Sequence, residues 1–238
     1  MLPLNTQNYQ NIVVLTGAGV SAASGLSTFR GPDGKWQHEL LAVSDGRRIP
    51  ELLPEMWRAY GKARRGLVGV EPNAAHFALA NWQRKWSSSR KITMVTQNVD
   101  GLHQKAGSQP VIEIHGSLLE TRCTNSNCDS KPFLDLEIPE TVPHCGVCGA
   151  PLRPNITLFH EPLPLEAITT VKRALRDCDL FVAIGTSGVV APASDFVRGA
   201  AYAGARTICL NLTQLDSPSA FEESINGRAE EILPNWLD

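Results

Sequence analysis

Residues 11–19 read NIVVLTGAG, a short apolar run rich in β-branched residues that ends at two glycines. This pattern is typical of a buried parallel strand followed by a tight turn. Similar runs occur at Ile92 to Thr96, Val111 to Ile114, Leu180 to Ile184 and Thr207 to Leu210. Helix-length segments lie between the runs, at Pro50 to Gly66, Ala74 to Trp86 with Asn73 as N-cap, Leu165 to Cys178, and Ala193 to Ala203. The alternation predicts an α/β fold with a Rossmann-like parallel sheet, in which ligands bind at the carboxyl ends of the strands.

The composition is that of a globular protein without a strongly charged surface. The 238 residues are 42% hydrophobic and 19% charged, and 22 basic against 24 acidic side chains give a net charge of −2. No net basic charge attracts the chain to nucleic acid or acidic lipid. No segment has the pattern of a membrane span or of a secretion signal. We therefore expect a cytoplasmic protein that binds neither nucleic acid directly nor membranes.

Four of the six cysteines lie close together, as Cys123-x4-Cys128 and Cys145-x2-Cys148. Four thiolates satisfy a tetrahedral Zn²⁺ ion and leave no position for water or substrate, so the expected site is structural. The alternative is four incidental thiols in a reduced protein. Because residues 120–152 contain several prolines and no helix-length apolar period, they predict a small zinc-ribbon module inserted into the sheet domain. Cys178 and Cys209 stand alone and are interpreted as small core residues.

Polar motifs follow several of the predicted strands. Gly17-Ala18-Gly19 allows a phosphate to approach the backbone, although the third glycine of the dinucleotide fingerprint is replaced by Ala22. A tight turn without a ligand is the alternative. The loops after the middle strands carry Gln97, Asn98 and Asp100 and the histidines 103 and 115. These side chains suit hydrogen bonds to ribose hydroxyls and a carboxamide, with one imidazole as general base.

Together, the motifs resemble those of the sirtuins, which are NAD-dependent protein-lysine deacylases. The shared motifs, in the same order, are Gly17-Ala18-Gly19-Val20-Ser21, Phe29-Arg30-Gly31, Thr96-Gln97-Asn98-Val99-Asp100, His115-Gly116, the four paired cysteines and Gly185-Thr186-Ser187. The resemblance covers nearly the whole chain and implies one catalytic domain, residues 1–238. Its implied parts are a large NAD-binding sheet domain (1–30, 73–119 and 153–238), a cofactor loop with a helical flap (31–72) and a zinc-binding module (120–152).

The resemblance also implies the cofactors, the reaction and the role of each matching residue. NAD+ is the expected co-substrate, and the acyl group of an acyl-lysine protein or peptide passes to ADP-ribose, leaving nicotinamide, O-acyl-ADP-ribose and free lysine. His115 is the implied general base. Gln97 is expected at the nicotinamide ribose, and Asn98 and Asp100 at the carboxamide. The other implied cofactor contacts are Gly17, Ala18, Gly19, Ser21, Phe29, Arg30, Trp36, Gly185, Thr186, Ser187, Asn211 and Ala229.

The acyl chain is left open between acetyl and a short acidic group such as succinyl or malonyl. Sirtuins that remove acidic acyl groups carry a Tyr-x-x-Arg pair, whereas this chain has Tyr60 and Arg64, one residue further apart. Helix positions i and i+4 share a face, so the two side chains could still bind an acyl carboxylate. A solvated basic helix face is the alternative. Phe159 is expected to border the substrate, and His160 follows it where sirtuins usually have glycine.

Two other function classes compete with the deacylase. An NAD+ glycohydrolase or ADP-ribosyltransferase would use the same pocket and release nicotinamide without acyl-lysine. A zinc-ribbon interaction module on a nucleotide-sensing domain would bind NAD+ without turnover. A dehydrogenase is disfavoured, because the third fingerprint glycine is missing and no hydride-transfer site is recognisable.

Overall fold

The computed structural model describes residues 2–27, 38–186, 195–214 and 221–237. Its β-strands are β1 (Asn11–Thr16), β2 (Lys91–Thr96), β3 (Val111–Glu113), β4 (Gly116–Cys123), β5 (Phe133–Leu134), β6 (Leu152–Ile156), β7 (Leu180–Ile184), β8 (Arg206–Asn211) and β9 (Glu223–Asn226). Its α-helices are α1 (His38–Ala42), α2 (Ile49–Gly66), α3 (Ala74–Trp86), α4 (Leu102–Lys105), α5 (Leu165–Arg176), α6 (Phe196–Tyr202) and α7 (Ala229–Trp236). Among these helices, none combines the length and the apolar character that crossing a bilayer requires.

The larger sheet has six parallel strands in the order β3-β2-β1-β7-β8-β9. Counted along the chain within this sheet, the order is 3-2-1-4-5-6, which is the order of a doubly wound Rossmann-type sheet. The predicted fold class is confirmed. The connection between the strands reverses direction beside β1 and β7, and ligands of such sheets bind at that point, outside the carboxyl ends of the strands.

The core lies on both faces of this sheet, which explains why Ile12 to Leu15 of β1 form an uninterrupted apolar run. Ile12 and Val14 pack in one cluster with residues of α3 and α7, including Leu79 and Leu233. Val13 and Leu15 point to the opposite face, into a cluster with residues of α5 and α6. Successive side chains of a strand alternate between faces, so a strand buries consecutive residues only where it is covered on both sides.

Local signals placed the boundaries of α3 correctly. The helix begins at Ala74, and the side-chain oxygen of Asn73 accepts a hydrogen bond from the amide of Ala75 at 2.9 Å. Strand β9 and helix α7 were not predicted. β9 is a polar edge strand with three exposed residues of four, and α7 contains Pro234, so neither carries a strong periodic signal.

A smaller antiparallel sheet has the order β5-β4-β6. Strand β4 begins at Gly116, directly after His115, and ends at Cys123. One strand therefore joins the expected general base to an expected zinc ligand. Helix α2 packs on this sheet, and its Trp57 donates a hydrogen bond to the carbonyl of Leu152 at 2.9 Å.

Candidate active site

Two glycine loops meet at the carboxyl edge of the large sheet. The amide of Gly17 donates to the carbonyl of Ile184, and the amide of Gly19 donates to that of Gly185, both at 2.9 Å. A methyl group on Gly17 would lie 2.7 Å from the Gly185 oxygen, and one on Gly19 would lie 2.7 Å from the Gly185 Cα atom. Gly185 itself has a φ of 62°, a left-handed conformation that favours glycine. Close backbone packing therefore requires all three glycines.

Thr186 connects the loops that follow β2, β7 and β8. Its hydroxyl accepts a hydrogen bond from the Gln97 side-chain amide at 2.9 Å, and its carbonyl accepts one from the Asn211 side-chain amide at 3.0 Å. Ala229, also expected near the cofactor, is buried at the start of α7. The sheet thus brings together expected site residues that are far apart in the sequence.

Ser21, Asn98 and Asp100 form a second polar group beside Gly17. The Asn98 side-chain amide donates to the Ser21 hydroxyl at 3.1 Å and to the Gly17 carbonyl at 3.2 Å. The Ser21 hydroxyl in turn donates to the Asp100 carboxylate at 2.7 Å. Ser21 and Asn98 are buried. These bonds fix the directions of three side chains that are expected to contact the cofactor.

His115 lies at the same edge with a defined tautomer. Its Nδ1 atom is 3.0 Å from the backbone carbonyl of Gln97. A carbonyl only accepts hydrogen bonds, so Nδ1 carries the proton and Nε2 keeps the lone pair that a general base needs. Burial lowers the pKa of His115 below 6.5, and the bond to Gln97 partly offsets this effect. The imidazole is therefore neutral at pH 7.

Beneath this layer lies a pair of buried histidines, His76 and His103, whose ring centroids are 4.9 Å apart. His103 Nε2 is 2.8 Å from the Thr16 hydroxyl, which donates its own proton to Thr96. His103 is 1% exposed, so of the two strand-end histidines singled out in the sequence, only His115 lies at the edge. His76 was not singled out, although its position three residues after Asn73, in the capping box of α3, places it at the start of that helix.

A second residue missed in the sequence is Glu113, two positions before His115. One of its carboxylate oxygens is buried without a hydrogen-bond partner among the described residues. Burial raises the pKa of Glu113 to about 7. The edge of the sheet therefore also holds a carboxyl group whose pKa lies near neutrality.

The burial of His103 predicts an acid-sensitive fold. Burial lowers its pKa from 6.5 to about 3, so the unfolded chain binds a proton in this range that the folded chain does not. The free energy of unfolding should fall as the pH drops from 6.5 toward 3, by up to about 1.4 kcal/mol per pH unit for this group. Urea unfolding of the wild type and of His103→Gln at several pH values checks this, and equal slopes would contradict it.

The four paired cysteines converge. Their Sγ atoms all lie within 4.8 Å of one another, with Cys123 3.5 Å from Cys148 and Cys128 3.8 Å from Cys145. Sulfur atoms in a disulfide are about 2.05 Å apart, whereas four sulfurs about 2.3 Å from a tetrahedral zinc ion are roughly 3.8 Å apart. The cluster fits one structural zinc ion.

Tyr60 and Arg64 both lie on the buried face of α2, but they contact different groups. The Arg64 side chain is 3% exposed. Its guanidinium donates to the carbonyls of Leu118, Glu120 and Glu137 at 3.0, 3.2 and 2.6 Å. The Tyr60 hydroxyl instead lies 3.1 Å from the Ser44 hydroxyl. Arg64 therefore does not lie on a solvated basic face.

Phe159 is partly exposed and follows β6. Its amide donates to the Ser44 carbonyl, and its carbonyl accepts from the Gly46 amide, both at 2.9 Å. Four expected cofactor residues, Phe29, Arg30, Trp36 and Ser187, lie outside the described residues.

Comparison with known proteins assigns this arrangement to a family. A model of the Sir2 family matches residues 17–192. The chain belongs to the Sir2 family. The NAD-dependent protein deacylase SIR2rp3 of Leishmania major is 43% identical over 95% of this chain and 94% of its own length. An NAD-dependent protein deacylase of Vibrio parahaemolyticus is 42% identical over 97% of this chain and 95% of its own length. The predicted family is confirmed.

Solved structures of Sir2 proteins agree with the fold. A mutant Sir2 homologue in complex with ADP-ribose superposes with a TM-score of 0.86, at 33% identity, over 96% of this chain and 91% of that one. A Sir2 complex with a p53 peptide and NAD+ superposes with a TM-score of 0.80, at 29% identity, over 95% of this chain and 92% of that one. This Sir2-family chain thus shares its fold with structures that contain the nucleotide and a peptide.

Proposed function

We propose that this NAD-dependent protein deacylase uses His115 as its general base and the carboxyl edge of the large sheet as its cofactor site. The reaction consumes NAD+ and one water molecule, moves the acyl group of a lysine side chain to ADP-ribose and yields nicotinamide, O-acyl-ADP-ribose and free lysine. The observation that carries the proposal is the hydrogen bond from His115 Nδ1 to the Gln97 carbonyl. It leaves Nε2 to accept a proton, beside the amide and carboxylate side chains of the same edge.

The residues at this edge suit NAD+ chemically. When bound, NAD+ supplies a ribose bond whose cleavage releases nicotinamide. The side chains of Asn98, Ser21 and Asp100 offer donors and acceptors for a carboxamide, and Gln97 offers an amide for a ribose hydroxyl. We assign the phosphates and the adenosine to Gly185, Thr186, Asn211 and Ala229 and, from the sequence, to Ser187. The cofactor cleft is lined by the stretch from Gly17 to Trp36, and from the sequence Phe29, Arg30 and Trp36 belong to this lining.

In this proposal, His115 removes a proton from a ribose hydroxyl through Nε2, while the Gln97 carbonyl holds the ring in place. A positioned base of this kind contributes about 10²- to 10⁴-fold to a rate. The buried polar pairs around Ser21 keep the pocket walls fixed, so that less ordering is needed when the substrates bind. The zinc ion has no part in these steps, because four cysteine ligands close its coordination sphere.

The acyl preference depends on whether the Arg64 guanidinium is available to bind an acyl carboxylate. We propose that Arg64 ties α2 to the small sheet and that the Tyr60/Arg64 pair does not recognise an acyl carboxylate. Three backbone carbonyls already accept from its guanidinium, and the Asp135 carboxylate lies 3.6 Å away. This arrangement supports acetyl or another uncharged short acyl group over a succinyl group.

Replacement of Arg64 by lysine tests this assignment. A lysine has three donors on one atom and cannot match the planar fork of arginine. We expect the free energy of unfolding to fall by about 2 to 4 kcal/mol and the ratio of desuccinylation to deacetylation to stay within twofold of the wild type. A selective loss of desuccinylation at unchanged stability would contradict this assignment and indicate that Arg64 binds the acyl carboxylate.

The overall proposal is tested by product analysis. The protein and NAD+ are incubated with acetyl-, malonyl- and succinyl-lysine peptides and without peptide, and nicotinamide and O-acyl-ADP-ribose are quantified by mass spectrometry. Formation of both products only with peptide is the expected result. Nicotinamide release without peptide would instead indicate the glycohydrolase, and NAD+ binding without turnover would indicate a nucleotide-sensing module.

We also propose that the protein functions in the cytoplasm. All six cysteines are free thiols, three of them buried. Free paired thiols at zinc-binding distances are typical of reducing compartments, where disulfides are rare. Fractionation of cells that express a tagged chain would test this location.

A further inference from the structure

Two arginines lie opposite each other on neighbouring strands of the small sheet. Arg122 on β4 and Arg153 on β6 are direct register partners in the antiparallel pair. Like charges at directly opposite positions destabilise a strand pair. Arg153 is almost fully buried, with 2% of its side chain exposed, so water cannot screen its charge effectively. The pair therefore requires a counter-charge.

Glu161 supplies that charge. One of its carboxylate oxygens lies 2.7 Å from Arg153 Nη1 and 3.2 Å from Arg122 Nη2. The other accepts from Arg153 Nη2 at 3.1 Å. The two arginines, aided by a backbone N–H, hold the pKa of Glu161 below its ordinary value despite its burial. One carboxylate thus bridges both strands of the pair.

The same carboxylate also fixes the chain segment that leaves β6. The amide of Leu158 donates to Glu161 at 2.8 Å, which closes a turn over residues 158–161. Within this turn, His160 has a φ of 68°, a strained value for a residue with a side chain. Just before the turn, the Thr157 amide donates to the His115 carbonyl at 2.8 Å. The segment is therefore tied both to the general base and to the charge bridge.

We propose that Glu161 is a positioning residue for the acyl-lysine substrate, acting through residues 157–160. This inference rests on the proposed function, which puts the substrate beside Phe159 and His115. Loss of the carboxylate charge leaves two opposed guanidinium groups without a counter-ion, and the turn loses its anchor. The strand ends then separate, and the segment that borders the substrate becomes mobile. The nucleotide side is unaffected, because the described hydrogen bonds of the Glu161 side chain go to Arg122, Arg153 and Leu158. The Thr157 amide bonds to the His115 backbone, whereas the His115 ring is held separately by the Gln97 carbonyl.

Steady-state kinetics of Glu161→Gln test the inference. We expect the KM for an acetyl-lysine peptide to rise about tenfold, with kcat within twofold and the Kd of NAD+ unchanged. Glu223→Gln is the matched control. Both carboxylate oxygens of Glu223 also accept hydrogen bonds from an arginine, Arg206, but Glu223 lies on the edge strand β9 of the large sheet. The control should leave both constants unchanged. An unchanged peptide KM in folded Glu161→Gln, or an equal rise of the NAD+ Kd, would overturn the inference.

Two further measurements separate positioning from simple destabilisation. Hydrogen exchange should be faster at the Leu158 amide in Glu161→Gln, and removal of one opposed cation in Glu161→Gln/Arg122→Gln should bring the peptide KM at least halfway back. If Glu161→Gln does not fold, Glu161→Asp keeps the charge on a shorter side chain, and we expect a threefold rise in peptide KM. Unprotected Leu158 in the wild type, or an unchanged KM in Glu161→Asp, would also overturn the inference. Failure of the wild type to deacylate would instead refute the proposed function.

Discussion

Replacement of His115 by alanine is expected to lower the kcat of deacylation by about 10²- to 10⁴-fold, because it removes the general base. The Kd of NAD+ should change little, since the imidazole is held by the Gln97 backbone and its proposed contact to one ribose hydroxyl is only one of many contacts to the cofactor. Single-turnover assays with an acetyl-lysine peptide, together with NAD+ binding by calorimetry, measure the two quantities separately. A variant with unchanged kcat would refute the assignment of the base.

Two controls strengthen this test. Added imidazole should partly restore the rate of His115→Ala, because a small base can enter the space left by the side chain. In the wild type, kcat/KM should fall as the pH drops through the His115 pKa, which burial holds below 6.5. Glu113 titrates at about 7 in the same region, so the profile is repeated with Glu113→Gln. An acid limb that survives in this variant belongs to His115.

The parts of the fold that were predictable depend on local chemistry. Strand β1 buries side chains on both faces, and this requirement explains the continuous apolar run of four residues from Ile12 to Leu15. Helix α3 begins where Asn73 caps it. Strand β9 lies at the edge of the sheet and is mostly exposed, so its sequence needs no apolar run. Its place is set by pairing with β8, a contact that no local pattern encodes.

In the candidate site, too, some features follow from local sequence and others depend on tertiary contacts. The polar residues after β1 and β2 could be predicted as neighbours, since parallel strands end at one edge of the sheet. The spacing of Tyr60 and Arg64 correctly indicated a shared face of α2. It could not indicate that backbone carbonyls of β4 already accept hydrogen bonds from the Arg64 guanidinium. The bridge of Glu161 to two arginines was equally hidden, because it depends on the register of β4 and β6.

The zinc cluster lies at the far end of the two strands that support the site. Strand β4 runs from Gly116, beside the general base, to Cys123, and β6 begins at Leu152, four residues after Cys148. Serine at the buried position Cys145 lowers the affinity of the cluster for zinc, since a serine oxygen is a poorer zinc ligand than a thiolate. Zinc contributes about 10 to 16 kcal/mol to the folding of small zinc domains. Whole domains are stable by only about 5 to 15 kcal/mol. Loss of even part of the free energy of zinc binding is therefore enough to unfold the ends of the two strands.

Cys145→Ser is therefore expected to lose its bound zinc and more than about 100-fold in kcat/KM, since both strands lose their anchored ends. Zinc content by mass spectrometry, deacylation kinetics and hydrogen exchange of β4 measure the three effects. Cys209→Ala is the matched control, because Cys209 is buried in the large sheet away from the cluster. It should keep one zinc per chain and nearly full activity. Full activity of a zinc-free Cys145→Ser protein would show that the strands hold the general base and the substrate segment without the ion.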